Sequence, residues 1–237
     1  MTDGAPSRPE PGTPEPATWG TYLVTAQTAS SGRSTIDIVR EALKGGIDVV
    51  QLREKSADAR TRYERGLEVR ALTAEADVPL IVNDRVDLAL ALEAEGVHVG
   101  QSDLPVGVAR DLIGSSAVVG CSVSTVEEAR DAEAAGADYL GVGAVYGTES
   151  KDVADRKDGI GTERIAAVAD AVAIPVIGIG GITATNAGPV VDAGAVGVAV
   201  VSEITAADHP IRATRALTSV VDDHRPRNPA TPADDGR

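Results

Sequence analysis

Two aspartates follow two short apolar segments, and their spacing suggests a site for a divalent cation. Asp84 follows Leu80–Asn83 (LIVN), and Asp103 lies just beyond Val97–Gly100 (VHVG). If these segments are neighbouring parallel strands, about 4.8 Å apart, the two carboxylates repel each other unless a cation lies between them. Mg²⁺ typically takes one or two carboxylates and completes its shell with water and phosphate oxygens. The alternative is that each aspartate caps the following helix. His98, within the second segment, is interpreted as a hydrogen-bonded interior residue rather than a ligand.

A cationic segment follows another apolar run and favours the binding of a polyanion. The run Val49–Arg53 continues into Glu54 and Lys55, so that residues 51–55 read QLREK. Strand alternation sends Gln51, Arg53 and Lys55 to one side, and two cations beside an amide suit a diphosphate. The alternative is a solvated charge run. The nearby aspartates favour a diphosphate held together with Mg²⁺.

Two further polar features lie at the ends of apolar runs. Asn83 ends one run, and Ser122 ends another as a hydroxyl donor. A long polar loop, which runs from Tyr146 to Gly161, carries two hydroxyls, a carboxylate and one of the four lysines of the chain: Thr148, Glu149, Ser150 and Lys151. Loops of this length in compact domains are usually functional. The loop is therefore predicted to be a lid over a charged ligand, with a plain surface insertion as the alternative.

Glycines near the end of the chain indicate a second anion site. Val176–Gly180 leads into Gly181, and Val196–Val201 leads into Ser202. Glycine-rich turns let backbone N–H groups approach a phosphate, and a short helix after the last run would aim its first amides at it. Phosphate sites after strands seven and eight recur in α/β barrels. The pattern predicts a monophosphate opposite the diphosphate.

The elements that must position these residues alternate between strands and helices. Eight runs are almost continuously apolar, as strands buried on both faces must be; they are Thr21–Thr25, Val49–Arg53, Leu80–Asn83, Val97–Gly100, Ala117–Ser122, Tyr139–Gly143, Val176–Gly180 and Val196–Val201. Helical patterns separate them, and two examples are Ser34–Lys44 and Thr125–Ala135. Such alternation is compatible with two parallel architectures, an open doubly wound sheet and a closed barrel. No GxGxxG follows the first run, so we predict a single-domain α/β fold, the (β/α)₈ TIM barrel.

Composition bounds the domain and its surroundings. The chain has 237 residues and a formal net charge of -14. We predict a barrel domain at 20–221, between a disordered Pro-rich leader at 1–19 and a disordered tail at 222–237. The negative charge argues against nucleic-acid binding, and no apolar run is long enough to cross a membrane. The polar beginning lacks a signal segment, which predicts a cytoplasmic protein, and the single cysteine, Cys121, excludes an internal disulfide.

The charge also suggests adaptation to salt. The chain holds only four lysines against 18 arginines and contains no phenylalanine. An acidic, lysine-poor composition is tolerated where salt screens its self-repulsion. We therefore expect a halophile-like acidic surface, and a codon bias is the alternative.

Taken together, these segments resemble the thiamine-phosphate synthase family across about residues 21–218. The motifs that carry the resemblance are YLVT at 22–25, QLREK at 51–55, VND at 82–84, GVHVGQSD at 96–103, GVGAVYGTESK at 141–151 and GIGGIT at 178–183. The resemblance implies a transferase (EC 2.5.1.3 type) in thiamine biosynthesis. Such an enzyme joins 4-amino-2-methyl-5-(diphosphooxymethyl)pyrimidine to a thiazole phosphate and yields thiamine phosphate and diphosphate.

The resemblance also implies a role for each site residue. Pyrimidine diphosphate would be held by Gln51, Leu52, Arg53, Glu54, Lys55, Asn83, Ser122 and Lys151. Mg²⁺ would be held by Asp84 and Asp103. Thiazole phosphate would be contacted by Thr148, Glu149 and Ser150, and its phosphate by Gly181, Val201 and Ser202. Catalysis would depend on Arg53, Lys55, Lys151 and Ser122. In the implied dissociative mechanism diphosphate leaves first, and the thiazole nitrogen captures the resulting cation.

Departures and rival interpretations remain. Ala26 stands where the family often has Asp, and Gly147 where Pro is common. A thiazole tautomerase shares the barrel but needs no diphosphate or Mg²⁺ cluster. A phosphosugar epimerase or isomerase needs an acid–base pair on facing strands, which the sequence lacks. A non-catalytic binding protein for thiamine precursors would show no turnover. The oligomeric state stays open, with a homo-oligomer among the alternatives.

Overall fold

The computed structural model describes residues 14–147 and 159–226, and it contains a closed barrel of eight parallel strands in sequence order. The strands are β1 Thr21–Val24, β2 Val49–Leu52, β3 Leu80–Asn83, β4 Gly96–Val99, β5 Val118–Val123, β6 Tyr139–Gly143, β7 Val176–Ile179 and β8 Gly197–Val200. The helices are α1 Thr35–Gly45, α2 Ala59–Glu75, α3 Val86–Ala91, α4 Val106–Ile113, α5 Val126–Ala134, α6 Gly161–Ala169, α7 Gly188–Asp192, α8 Ser202–Thr205 and α9 Pro210–His224. The predicted barrel is confirmed, and every predicted strand agrees with the structure to within one residue at each end.

Helix ends explain why the chain turns where it does. Ser34 accepts a hydrogen bond from the N–H of Asp37 at the start of α1, and Gly46 ends that helix in the left-handed conformation. At α5, Thr125 and Glu128 form both hydrogen bonds of a capping box. These caps satisfy backbone groups that a helix end would otherwise leave unpaired, so each helix ends at a defined residue before the next strand.

Alternation along each strand divides the apolar side chains into two layers. Leu23 and Leu52 belong to the large layer between the barrel and its helices. Tyr22 and Val24 point into the barrel, where the interior cluster also contains Tyr139. Side chains alternate in a strand, so every second side chain of β2 points into the barrel. In β2 these are the odd-numbered residues, Val49 and Gln51.

The beginning of the domain lies earlier than predicted. Trp19, assigned to the disordered leader, is 3% exposed and packs edge-on against Tyr22 and Tyr139 at ring-centroid distances of 5.9 and 5.1 Å. At the other end, α9 extends to His224, and Arg225 donates hydrogen bonds to the carbonyl oxygens of residues 17 and 18. This corrects the predicted boundaries at residues 20 and 221, because an indole buried this deeply belongs to the core. The rest of the predicted leader and tail, 1–13 and 227–237, lies outside the described residues.

Helices in the described part of the chain lack the combination of length and apolar character that a bilayer span requires.

Added salt is expected to stabilise the folded protein. The chain has a net charge of -14, and its excess carboxylates repel one another in dilute buffer. In molar KCl the screening length falls to about 3 Å, which weakens this repulsion. We expect a gain of about 1 kcal/mol, or about 2–4 °C in melting temperature, between dilute buffer and molar KCl. Calorimetry measures this shift. Replacing the exposed Glu64, Glu68 and Glu127 with glutamine should reduce it, and a melting temperature that falls with added KCl would contradict the prediction.

Candidate active site

A cavity that opens to solvent lies at the carboxyl end of the barrel. The predicted site residues that line it are Gln51, Arg53, Asn83, Ser122, Gly181, Val201 and Ser202. Residues from the predicted diphosphate end and from the predicted monophosphate end therefore line one cavity, whereas Lys55, Asp84 and Asp103 are not part of its lining.

Asp84 and Asp103 lie together beyond the ends of β3 and β4. The strands pair so that Asn83 is level with His98, and the N–H of Asp84 donates to the carbonyl of His98 at 2.8 Å. Asp103 accepts a hydrogen bond from the N–H of Gly100 at 2.8 Å, which fixes its carboxylate beside Asp84. Burial, and then hydrogen bonding and charge repulsion from the Asp103 carboxyl, raise the pKa of Asp84 above its ordinary value. Burial and the neighbouring Asp103 carboxyl therefore both disfavour the charged form of Asp84.

Asp84 adopts a backbone conformation that few residue types tolerate. Its φ is 64°, in the left-handed region that Asp and Asn accept more readily than other non-glycine residues. This conformation turns the chain sharply between β3 and α3. The carboxylate is thereby held at the mouth, and it is 25% exposed.

Two cations lie on the β2 side of the mouth. The Lys55 ammonium is 3.6 Å from the Asp84 carboxylate, and its side chain is 58% exposed. The N–H of Arg53 donates to the Thr25 hydroxyl at 2.9 Å, which fixes the backbone after β2. Within residues 14–147 and 159–226, no carboxylate forms an ion pair with the Arg53 guanidinium. That group is available to an anion in the cavity.

Leu52 and Glu54 face away from the cavity, because alternation along β2 sends even-numbered residues toward the helices. Leu52 is buried in the layer between barrel and helices. The Glu54 carboxylate accepts hydrogen bonds from the Thr35 hydroxyl at 2.8 Å and from Arg65 at 2.6 Å. That Leu52 and Glu54 help to hold the diphosphate stays a prediction, and their side chains do not point toward the cavity. The carboxylate of Glu54 instead joins the loop after β2 to α1 and α2.

Glu54→Gln is expected to destabilise the protein. The Glu54 side chain is 1% exposed and that of Arg65 is 25% exposed, so the substitution leaves a partly buried guanidinium without its partner. We expect a loss on the order of 2 kcal/mol in the free energy of unfolding, less than for a fully buried pair. Urea unfolding of Glu54→Gln, beside the exposed control Glu64→Gln, measures this loss. Equal midpoints for the two variants would show that the ion pair does not stabilise the loop.

Glycines shape the opposite side of the cavity. Gly180 and Gly181 have φ values of 102° and 66°, and a Cβ on Gly181 would lie 2.8 Å from the carbonyl oxygen of Gly147. The Asn186 side chain accepts from the N–H of Thr183 at 2.7 Å and donates to the carbonyl of Gly181 at 3.0 Å. The turn after β7 is therefore held in a shape that only glycine permits at its start.

The loop after β8 is joined to that turn. Glu203, in the short helix α8, accepts a hydrogen bond from the N–H of Ala184 at 3.0 Å. Val201 and Ser202 line the cavity beside Gly181. The two loops thus form one continuous wall of the cavity.

A chain of five polar side chains, all of which line the cavity, crosses the barrel, and the sequence analysis did not predict it. Gln51 donates to the Tyr22 hydroxyl at 2.9 Å, and the hydroxyl groups of Tyr22 and Tyr139 are 2.9 Å apart. His98 Nδ1 is 2.9 Å from the Tyr139 hydroxyl, and its Nε2 is 2.8 Å from Ser122 Oγ. The interpretation of His98 as a hydrogen-bonded interior residue is confirmed. Strand parity was the available signal, since all five residues point inward.

The predicted contacts of the lid, Thr148, Glu149, Ser150 and Lys151, lie outside the described residues. The chain before them is attached to β7 and its turn, and after them the N–H groups of Ile160 and Gly161 donate to the carbonyls of residues 144 and 145 at 2.8 and 2.9 Å. The N–H groups of Val145 and Tyr146 donate to the carbonyls of Ile179 and Gly180 at 2.9 and 3.0 Å. The two ends of the loop are therefore held next to each other, beside the turn after β7.

A (β/α)₈ barrel with paired carboxylates, a cationic rim and glycine turns around one mouth defines a class of enzymes that act on phosphorylated substrates. A family model described as thiamine monophosphate synthase matches residues 21–204, which is most of the barrel. The chain therefore belongs to the thiamine monophosphate synthase family, whose members are transferases of thiamine biosynthesis.

Similar proteins agree with this membership. The chain is 59% identical over 204 residues to the thiamine-phosphate synthase of Natronomonas pharaonis, covering 86% of this chain and 95% of that protein. It is 60% identical over 208 residues to that of Haloarcula marismortui, covering 87% and 99%. The solved structure of thiamine phosphate pyrophosphorylase from Pyrococcus furiosus superposes with a TM-score of 0.80 at 38% identity, over 88% of this chain and 98% of that one.

Proposed function

We propose that this chain joins 4-amino-2-methyl-5-(diphosphooxymethyl)pyrimidine to a thiazole phosphate, releasing diphosphate and forming thiamine phosphate. One observation carries the proposal: a single cavity has Arg53 and Asn83 at one side and glycine turns at the other, and the paired carboxyl groups of Asp84 and Asp103 follow the strand ends next to Asn83. This asymmetry fits two substrates, one with a diphosphate leaving group and one with a monophosphate handle.

The diphosphate is proposed to bind at the β2 to β4 side. Arg53 and Lys55 offer charge-assisted hydrogen bonds to its oxygens, and Asn83 offers an amide. Lys151, from the predicted lid, is proposed to add a third cation. Because these cations interact more strongly with the departing diphosphate than with the bound ester, they lower the barrier to departure.

Asp84 and Asp103 fit a divalent cation. Among the residues that the structure describes, the cation paired with these two neighbouring carboxyl groups, one of which has a raised pKa, is the exposed Lys55. Two carboxylates with room for water and phosphate oxygens are the donor set that Mg²⁺ prefers. When bound, Mg²⁺ would neutralise charge on the diphosphate leaving group.

The reaction then requires no general base. The bond between the methylene carbon and the diphosphate oxygen breaks, and both electrons leave with the diphosphate. The pyrimidine amino group stabilises the cation, and the thiazole nitrogen forms the new C–N bond with its lone pair. Gln51 and Ser122 are proposed to orient the pyrimidine, and orientation of two substrates is itself a large contribution to rate.

The thiazole phosphate is proposed to bind at the opposite wall. Backbone N–H groups at Gly181, Val201 and Ser202 suit a phosphate because they carry partial positive charge and lie in glycine-rich turns. Thr148, Glu149 and Ser150 are proposed to contact the thiazole. The lid would exclude water, which would otherwise capture the cation.

Diphosphate release tests the proposal. The purified protein is mixed with both substrates, with and without Mg²⁺, in dilute buffer and in molar KCl. We expect diphosphate and thiamine phosphate in equal amounts and only with Mg²⁺ present. Isomerisation of the thiazole without diphosphate release would indicate a tautomerase, and substrate binding without turnover would indicate a binding protein.

A further inference from the structure

We propose that His98 and Tyr139 are positioning residues that hold the Ser122 hydroxyl as a hydrogen-bond donor into the cavity. The inference rests on the proposed function, because the acceptor would be an atom of the pyrimidine diphosphate. Both residues line the same cavity as Ser122, and the role proposed for them is to act through its hydroxyl. The hydrogen-bond chain that they belong to starts at Gln51, on the other side of the barrel.

One direction of the hydrogen-bond chain gives every proton in it an acceptor. The Gln51 Nε2 group can only donate, so it donates to the Tyr22 oxygen. Among the described residues, Tyr139 offers the Tyr22 proton its acceptor; we therefore assign that proton to the Tyr139 oxygen and the Tyr139 proton to His98 Nδ1. A histidine that accepts at Nδ1 is neutral and carries its proton on Nε2. That proton is donated to Ser122 Oγ at 2.8 Å.

Ser122 is therefore an acceptor toward the barrel interior. Its own proton is directed away from His98, and Ser122 lines the cavity. A substrate atom with a lone pair, such as a ring nitrogen or a diphosphate oxygen, is the matching partner. Without the chain, the hydroxyl could donate to His98 instead and would face the substrate without a proton.

The barrel makes room for this chain at a specific position. Gly120 lies between His98 on β4 and Tyr139 on β6 in the strand register. A Cβ on Gly120 would lie 2.5 Å from His98 Nδ1 and 2.2 Å from Tyr139 Cζ. The rings are 8% and 1% exposed, so their hydrogen bonds are made away from bulk water. Because the two rings fill the space that a side chain at position 120 would occupy, their hydrogen-bonding groups are held in one arrangement.

The tautomer of His98 tests the direction of the chain without any substrate. Histidine ¹⁵N spectra distinguish a protonated from an unprotonated ring nitrogen, and His98→Asn identifies the signal. The exposed His209 and His224 serve as internal references. We expect a neutral His98 with its proton on Nε2, and a smaller share of that tautomer in Tyr139→Phe. A proton on Nδ1 in the unaltered protein would overturn the proposal.

A double-mutant cycle tests whether the chain acts through Ser122. Tyr139→Phe is expected to lower kcat/KM for the pyrimidine diphosphate about tenfold, the effect of one hydrogen bond to a charged or polar group. In the Ser122→Ala background the same substitution should change kcat/KM about twofold or less. KM for the thiazole phosphate should stay the same in all variants.

Tyr22→Phe is the graded comparison, because it removes the buried hydroxyl that orients Tyr139 but keeps the groups that form the Tyr139–His98–Ser122 bonds. We expect a smaller loss than for Tyr139→Phe. Equal and additive losses in Tyr139→Phe and Ser122→Ala would overturn the positioning role. If the unaltered protein releases no diphosphate, the proposed function fails, whereas the ¹⁵N measurement still decides the direction of the chain.

Discussion

Asp84→Asn is expected to lower Mg²⁺-dependent diphosphate release about 10²–10³-fold, because the substitution removes one of two anionic ligands that fit the cation. The fold should survive, since asparagine tolerates the φ of 64° at this position. Initial rates over a Mg²⁺ titration measure the effect. We expect both a lower maximal rate and a higher Mg²⁺ concentration for half-activity.

Two controls separate metal binding from structure. Asp87→Asn makes the same charge change at an exposed residue whose carboxylate pairs with Arg85, and we expect its rate to be unaltered. Asp84→Ala would combine loss of the ligand with backbone strain, so it is the less informative variant. Full activity of Asp84→Asn in the presence of a chelator would remove the carboxylate pair from the proposed metal site.

Arg53→Ala is expected to lower kcat/KM for the pyrimidine diphosphate about 10²-fold. The guanidinium lines the cavity, and removal of one donor that stabilises developing charge typically has an effect of this size. Arg53→Lys should recover part of the loss, because the ammonium keeps the charge but not the planar pair of donors. Steady-state kinetics at constant ionic strength measure both variants.

The matched control for this change is Arg40→Ala. Arg40 lies on α1 and pairs only with the nearby Asp37 among the residues that the structure describes, so its removal changes the net charge equally at a distance from the cavity. A similar loss in both variants would mean that overall charge, rather than a contact by Arg53, attracts the diphosphate. An unaltered rate in Arg53→Ala would exclude the residue from the leaving-group site.

Much of the fold follows from the sequence because its signals are local. Eight apolar runs separated by helical patterns allow few architectures, and the capping residues Ser34 and Thr125 act within their own helices. The proximity of Asp84 and Asp103 was also predictable. It requires only that β3 and β4 be neighbours and that both residues follow the strand ends.

Other features depended on contacts between distant parts of the chain. Trp19 follows a proline-rich stretch whose composition indicates disorder, and only its packing against Tyr22 and Tyr139 places it in the core. Glu54 belongs to a charged motif, yet its carboxylate is directed to Arg65 on α2. Composition and motifs describe the types of residues in a segment, whereas the burial of a side chain depends on its contacts with distant parts of the chain.

The sequence by itself determined the barrel, its order of strands and the polar residues that end them, because strand parity and helix caps are properties of short segments. Only the tertiary structure decided which side chains share a hydrogen bond across the barrel. Gln51 and Ser122 lie on strands that are not neighbours, and closure of the sheet is what joins them through Tyr22, Tyr139 and His98.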